Sequence, residues 1–344
     1  MTTIEKTGRF CAVRDAMLLL TAAFIAPLVY AQTASSFDKS SSAPGQGYPT
    51  KPVRVISPYP PGSSADLIGR IYSPRLGESL GRPFIVDNRA GASGNIAGEL
   101  VARAAPDGYT LLLLNSPIAT SPLILKSVPF DAQRDFQPAG MLGLSPHFLV
   151  VNNAMPVKNM KELVALAKSR PGKLVYASTG IGGTLHLAME SLKLQTGIDM
   201  LHVPYKGSAM TVPDMIGGRI DVMFGSVPAL IAHVRGGRIR PLGIASLKRS
   251  AAAPDIPTIA ESGLPGFEST SFTSLAAPAK TPRSIISLLN STIAQSTQSA
   301  EVASALANQG TDVALMSPEQ VRNHIRDEIA KWKKVVIAAG VQPE

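Results

Sequence analysis

From Lys51 onward the chain keeps returning to one pattern: a short apolar run, a loop rich in glycine, proline or serine, then a helical stretch. Val53–Ile56, Phe84–Val86 and Tyr109–Leu114 are the first three such runs. A strand with one wet face alternates apolar and polar residues, whereas a continuously apolar strand is covered on both faces. Alternation of such strands with helices predicts an α/β fold with mainly parallel sheets.

The helices carry their own start signals. Ser63 or Ser64 can cap a helix that runs to about Leu80, after the rigid turn Pro58-Tyr59-Pro60-Pro61-Gly62. Asn95–Ala104 is the next helix. An apolar run at His147–Asn152 restarts the pattern, and Asn159 with Glu162 three residues later resembles a capping box for a helix through Ser169. Strands are then expected at 173–177, 201–204, 220–224, 241–245 and 271–277, with helices at 184–196, 208–216 and 228–235 between them. Helices at 282–295 and 301–308 follow. Ser317-Pro318-Glu319-Gln320 opens a long last helix, with serine as cap and proline first. At 344 residues the chain exceeds one ordinary core, and it restarts near 148 and 272. A chain that leaves one lobe, builds a second and returns explains both restarts and leaves a cleft between lobes.

The N-terminus reads as an address. Lys6, Arg9 and Arg14 precede an apolar stretch, Ala16–Val29, which ends in Val29-Tyr30-Ala31. This is the pattern of a secretory signal peptide cleaved after Ala31; the run is short of the roughly 20 residues that span a bilayer. The single cysteine, Cys11, lies before the apolar run, so the exported chain is expected to have no disulfide, thiolate metal site or catalytic cysteine. The serine-rich segment 32–47 has little to bury and reads as a disordered leader. The formal charge of +9 suits an anion-handling protein; nucleic acid is not expected as a partner, because no dense Lys/Arg stripe exists and aromatics are only 5%.

In open α/β sheets, ligands bind beyond the carboxyl ends of strands, where loops meet helix starts. Two such loops stand out. In Pro58–Asp66, prolines stiffen the entry, and Gly62, Ser63 and Ser64 offer backbone N–H groups and hydroxyls at a helix start, where an anion is favoured. Ser178–Thr184 offers three glycines and three hydroxyls before a helix. It is superficially like a dinucleotide fingerprint, but His186 follows where the third glycine belongs. Catalytic signatures are thin: there is no Gly-x-Ser-x-Gly elbow, P-loop or His-Glu-x-x-His, and no two of the histidines at 147, 186, 202, 233 and 324 are three or four residues apart. No metal site and no cofactor are expected. Asp66 in a first helical turn also has a simple reading as a complement to the helix dipole.

Several stretches, taken together and in order, resemble the Bug-type periplasmic receptors, the substrate-binding components of tripartite tricarboxylate transporters. They are Tyr48-Pro49 with Lys51-Pro52-Val53-Arg54, Pro58–Gly62 with Asp66, Asp87–Gly94, Pro106–Leu111, Tyr176-Ala177-Ser178 with Gly180 and Gly182, His202–Gly207, and Pro257-Thr258 with Glu261-Ser262-Gly263. The resemblance covers about Tyr48 to Val341. It implies a type-2 periplasmic-binding-protein fold: two α/β lobes joined by two crossing strands, with a ligand in the cleft. It also implies a small carboxylate ligand, gripped by the first loop partly through ordered water and held at its far end by the second lobe. Carried onto this sequence, it gives Tyr59, Gly62, Ser63, Ser64 and Asp66 in the first loop. In the second lobe it gives Ser178, Thr179, Thr184, Tyr205 and Lys206, with Ser226 after the next strand. The family usually has glycine where this chain has Ser63, and phenylalanine where it has Tyr59, so the pocket is expected to be more polar.

The resulting expectation is an exported, monomeric receptor that binds a small carboxylate and hands it to a tripartite tricarboxylate-type membrane permease, without catalysis. Lobe 1 would comprise 48–148 and 272–344, and lobe 2 would comprise 149–271. Two rivals stand beside it: a sensing module for a membrane kinase, and an acid–base enzyme on the same fold acting through Asp66 and His186.

Overall fold

The computed structural model describes residues 47–205 and 208–342, with backbone alone at 208 and 209. The signal segment 1–31 and Lys206 lie outside the described residues, as does the leader apart from its last residue. The strands are β1 (Val53–Ser57), β2 (Phe84–Asn88), β3 (Thr110–Asn115), β4 (Phe136–Asn152), β5 (Val175–Ser178), β6 (Leu201–Pro204), β7 (Val222–Ser226), β8 (Ile239–Ile244) and β9 (Thr270–Pro278). The helices are α1 (Ser64–Leu80), α2 (Asn95–Ala102), α3 (Ser116–Thr120), α4 (Met160–Ser169), α5 (Thr184–Thr196), α6 (Ser208–Ile216), α7 (Val227–Arg235), α8 (Arg283–Thr297), α9 (Ala300–Asn308) and α10 (Pro318–Ala338).

The strands order as β2-β1-β3-β9-β4-β7-β5-β6, with β8 also on β4. Two parallel triplets, β2-β1-β3 and β7-β5-β6, form the wings. Every pairing made by β4 or β9 is antiparallel. The sheet is therefore mixed rather than mainly parallel, because β4 and β9 run between the wings instead of following a helical crossover.

Continuous apolar runs are covered on both faces, as the pattern requires. Leu111–Leu114 in β3 are all fully buried, yet they alternate between cores: Leu111 and Leu113 pack with Ile68, Tyr72 and Leu289, while Leu112 and Leu114 pack with Ala97, Ile118 and Val321. In β4, Leu149 and Val151 face a core with Leu163 and Leu192, and Phe148 and Val150 face one with Met215 and Leu230. Each wing is thus a sheet sandwiched by helices, and a small fifth cluster joins Leu187 of α5 to Trp332, Val335 and Val336 of α10.

The longest strand, β4, is where the chain passes from one wing to the other. Phe136–Pro146 pair with β9, and from His147 onward β4 pairs with β7 and β8. The register against β9 shifts between Pro138 and Gly140 and between Met141 and Gly143, so proline and glycine mark irregularities inside a central strand. Gly143 allows close packing: a Cβ there would lie 2.3 Å from Thr311 Cγ2. His147 sits at the changeover, with Nδ1 2.9 Å from Ser269 Oγ and Nε2 3.1 Å from Ser271 Oγ, both flanking the start of β9. Burial, aided by the nearby Lys331 charge, pulls its pKa down to about 4.

The neutral imidazole at this crossing makes stability sensitive to acid. Between the ordinary pKa of about 6.5 and the folded value, the unfolded chain takes up a proton that the native ring does not, so stability falls as pH drops through that window. His147→Gln keeps polar partners for Ser269 and Ser271 without titrating. Denaturant unfolding should show that the parent loses about 2–3 kcal/mol more than the variant between pH 7 and pH 4. Equal acid losses in the two proteins would contradict this role.

Candidate functional site

Both parallel triplets end in loops that lead into helix starts. In the first, β1 runs into Pro58–Ser63 and α1. Ser63 is the N-cap, with φ −68° and ψ 157°, and its hydroxyl accepts from Asp66 N–H at 3.4 Å. That extended backbone suits any residue, so serine in place of the family's usual glycine introduces no strain. Gly62, at φ +83°, is the position in this loop that needs glycine.

The loop is organised from inside by Asp66. Its carboxylate accepts from Gly62 N–H at 2.8 Å, from Asn88 Nδ2 at 2.9 Å, and from Arg70 Nε at 3.0 and 3.1 Å. Asn88, at the end of β2, also donates to Tyr59 O at 2.9 Å and accepts from Arg70 at 3.2 Å. Burial alone raises the Asp66 pKa, but the hydrogen bonds from Arg70, Gly62 and Asn88 and the Arg70 charge outweigh it, and the net direction is down. Asp66 is an ionised keystone with its oxygens already engaged, which suits neither a proton donor nor a direct ligand contact. The Tyr59 hydroxyl lies 3.5 Å from Ser93 O, and burial, opposed by a hydrogen bond with Asn115, pushes its pKa up to about 12. Ser64, in contrast, is exposed at the first position of α1, and its hydroxyl has no partner among the described residues.

In the second triplet, β5 runs into Ser178–Gly183 and α5. Ser178 Oγ lies 2.7 Å from His202 Nε2 and donates to Gly180 O at 3.0 Å. Gly182 N–H donates to His186 Nδ1 at 3.1 Å. Gly182 also abuts the segment after α3: with φ +71°, a Cβ there would lie 2.9 Å from Ile124 Cγ2. No side chain caps α5, so its first-turn N–H groups remain open. The hydroxyls of Thr179 and Thr184, both half-buried, have no partner among the described residues. Ser226 ends β7 opposite His147 and precedes α7 without capping it.

The structure therefore divides the sequence-derived residues into two kinds. Ser64, Thr179, Thr184 and Ser226 offer open hydroxyls at three helix starts. Asp66, Ser178 and Tyr205 are already engaged; the Tyr205 hydroxyl donates to Asp214 at 2.7 Å, and that hydrogen bond, burial and the Asp214 charge together raise its pKa. Asn88, His202 and His186 are structural members of the site that had no assigned binding role in the sequence. Asn88 lay beyond the expected end of β2, which runs two residues further. Among the described residues, no group of three or more His, Cys, Asp or Glu side chains could hold a metal ion.

Two parallel α/β wings on a shared antiparallel spine, with the solved structures the chain resembles, define a periplasmic-binding-protein type of receptor with two lobes. The chain matches the model of the tripartite tricarboxylate transporter family receptor over residues 68–341, and it belongs to that family. It is 39% identical over 297 residues to the protein BugT of Bordetella pertussis, covering 86% of this chain and 91% of that protein. Among solved structures it is similar to Rpa4515 of R. palustris with adipate, at TM-score 0.73 and 35% identity, over 86% of this chain and 100% of that one. MatC of Rhodopseudomonas palustris with bound malate matches at TM-score 0.69 and 27% identity, over 84% of this chain and 100% of that one.

Removing the Asp66 carboxylate leaves Gly62 N–H, Asn88 and Arg70 without their acceptor. Asp66→Ala should lower stability by about 1–3 kcal/mol in urea unfolding, whereas Ser64→Ala should change it by less than about 0.5 kcal/mol. Comparable losses for the two variants would mean that Asp66 does not organise the loop.

Proposed function

We propose that this protein is an exported solute receptor that binds a small carboxylate between its lobes and delivers it to a tripartite tricarboxylate-type permease. The observation that carries the reading is the pair of helix starts with open hydroxyls, Ser64 at α1 and Thr179 with Thr184 at α5. Each supplies first-turn N–H groups, the positive end of a helix dipole and a neutral hydroxyl. Arg70 is already paired with Asp66 and Arg89 with Asp87, so among the described residues of these loops the ligand's negative charge is met by dipoles. The overall charge of +9 adds a long-range attraction for anions. A diacid with a carboxylate at each end suits this arrangement, and tricarboxylates, aromatic acids and amino acids present the same group. The adipate and malate bound to Rpa4515 and MatC support that class.

The reading places lobe 1 at 48–148 and 272–344 and lobe 2 at 149–271, with the ligand touching both only when they close. It involves no bond making. Asp66, held ionised and fully engaged, is poorly suited to the acid–base alternative. The working form is a monomer, and its place is the periplasm, a location that the N-terminal address supports. Sequencing the mature protein from the periplasmic fraction should give Gln32 as first residue; a chain beginning at Met1 there would contradict cleavage after Ala31.

Binding is tested with a carboxylate panel by thermal shift, starting from adipate. A ligand at about 100 times its Kd stabilises the fold by roughly 2.7 kcal/mol, which is a shift of several degrees. Ser64→Ala and Thr179→Ala should each weaken binding by about 1–3 kcal/mol and leave the unliganded melting temperature nearly unchanged. Tight binding that neither substitution weakens would place the site elsewhere.

A further inference from the structure

Beneath the second loop lies a cluster of polar rings that ligand contact alone does not explain. The rings of His186 and His202 stack with centroids 4.2 Å apart, and His202 stacks on Tyr176 at 4.7 Å. Tyr176 donates its hydroxyl to Glu190, which also pairs with Lys193 at 2.9 Å. The two imidazoles reach the loop at separate points, His202 at the Ser178 hydroxyl and His186 at Gly182 N–H. We propose that His202 and His186 are positioning residues for the ligand loop Ser178–Gly183, holding it in its binding form through these two hydrogen bonds. The proposal rests on the assignment of that loop to the ligand site.

The hydrogen-bond chemistry fixes what each ring must do. Gly182 N–H donates to His186 Nδ1, so that nitrogen must be unprotonated. Ser178 Oγ accepts from Gly180 N–H, and with its one hydroxyl proton on Gly180 O the His202 Nε2 is the donor to its oxygen. The loop thus closes on itself only when Ser178 is oriented from below. Gly180 and Gly182, at φ +143° and +71°, have no side chains to lock them, so external anchors decide their geometry. A proton on His186 Nδ1 removes an acceptor, and a charge on either ring faces the other at stacking distance.

Both rings are kept neutral at ordinary pH. Burial lowers the His202 pKa to about 4, with His186 adding to the effect, Glu190 opposing it and Lys193 adding to it. Burial also lowers that of His186, against Glu190 and with Lys193. Glu190 and Lys193 of α5 and Tyr176 of β5 are the other titratable groups that face the pair among the described residues. The apolar side chains of α10 that cluster with Leu187 of α5 are Trp332, Val335 and Val336.

The test uses the full exported protein with adipate, by calorimetric titration, together with amide hydrogen exchange on the unliganded protein. His202→Phe and His186→Phe keep an aromatic ring in the stack but lose the hydrogen bonds; each should weaken adipate binding about tenfold at pH 7. His202→Gln and His186→Gln can donate or accept without titrating and should stay within about threefold of the parent. Protonation of adipate at low pH affects all of these proteins alike. The ratio of parent to Gln-variant affinity should therefore be flat near pH 7 and fall as pH approaches 4. In the unliganded protein, Gly182 should lose at least about tenfold of its exchange protection in His186→Phe and regain it in His186→Gln. If Thr179→Ala and Thr184→Ala weaken adipate binding while both Phe variants bind like the parent, the positioning role is overturned and the ligand assignment stands. If neither Thr179→Ala nor Thr184→Ala alters binding, the ligand assignment itself fails. Should adipate not bind, unchanged Gly182 protection in His186→Phe overturns the positioning role on its own.

Discussion

The antiparallel pairing of β4 with β9 is the constraint on which the rest of the molecule depends. Phe136–Pro146 lie against Thr270–Pro278, and both strands then continue to backbone partners beyond that ladder. β4 passes to β7 and β8, while Ser269 N–H, just before β9, donates to Ala245 O at 2.8 Å. Two parallel wings are thereby tied to one shared spine. Parallel wings place all their strand-end loops on one edge, so the spine decides which loops can meet a common ligand.

Within those loops, charge is used for architecture and neutral groups are left open. Asp66 satisfies Gly62, Asn88 and Arg70, and Glu190 satisfies Tyr176 and Lys193. Paired in this way, Asp66 fixes the backbone of its loop and Glu190 fixes the side chains around it, and neither is left as a free charge. In the proposed reading, what remains for a ligand among the described residues are hydroxyls and the first N–H groups of helices, which bind an anion with little reorganisation.

Much of this was legible in the sequence, because local signals set local structure. The span Leu201–Pro204 and the helices Thr184–Thr196 and Ser208–Ile216 fall where periodicity put them, and Ser317 with Gln320 forms the full capping box. The first half of β4 was not legible, since Pro138, Gly140, Gly143 and Pro146 break any strand pattern and only pairing with β9 sustains it. A strand at 271–277 and, through the family resemblance, two crossing strands were expected, but their antiparallel pairing was not legible, being a long-range return. The two loops were recognisable by composition and by family resemblance, but the division of labour inside them was not. That Asp66 and Tyr205 are engaged, while Ser64 and Thr184 are open, follows from partners distant in sequence or from side-chain direction, such as Asn88 at the end of β2.

The central claim is that one carboxylate ligand is held from both lobes by helix starts, with Lys206 the one cation assigned to the site. A crystal structure of the protein with adipate tests it most directly. The account predicts one carboxylate within hydrogen-bond distance of the Ser64 hydroxyl and first-turn N–H groups of α1, and the other at Thr179, Thr184 and the start of α5. Adipate seated against a single lobe, or with its carboxylates paired to Arg70 or Arg89, would contradict it.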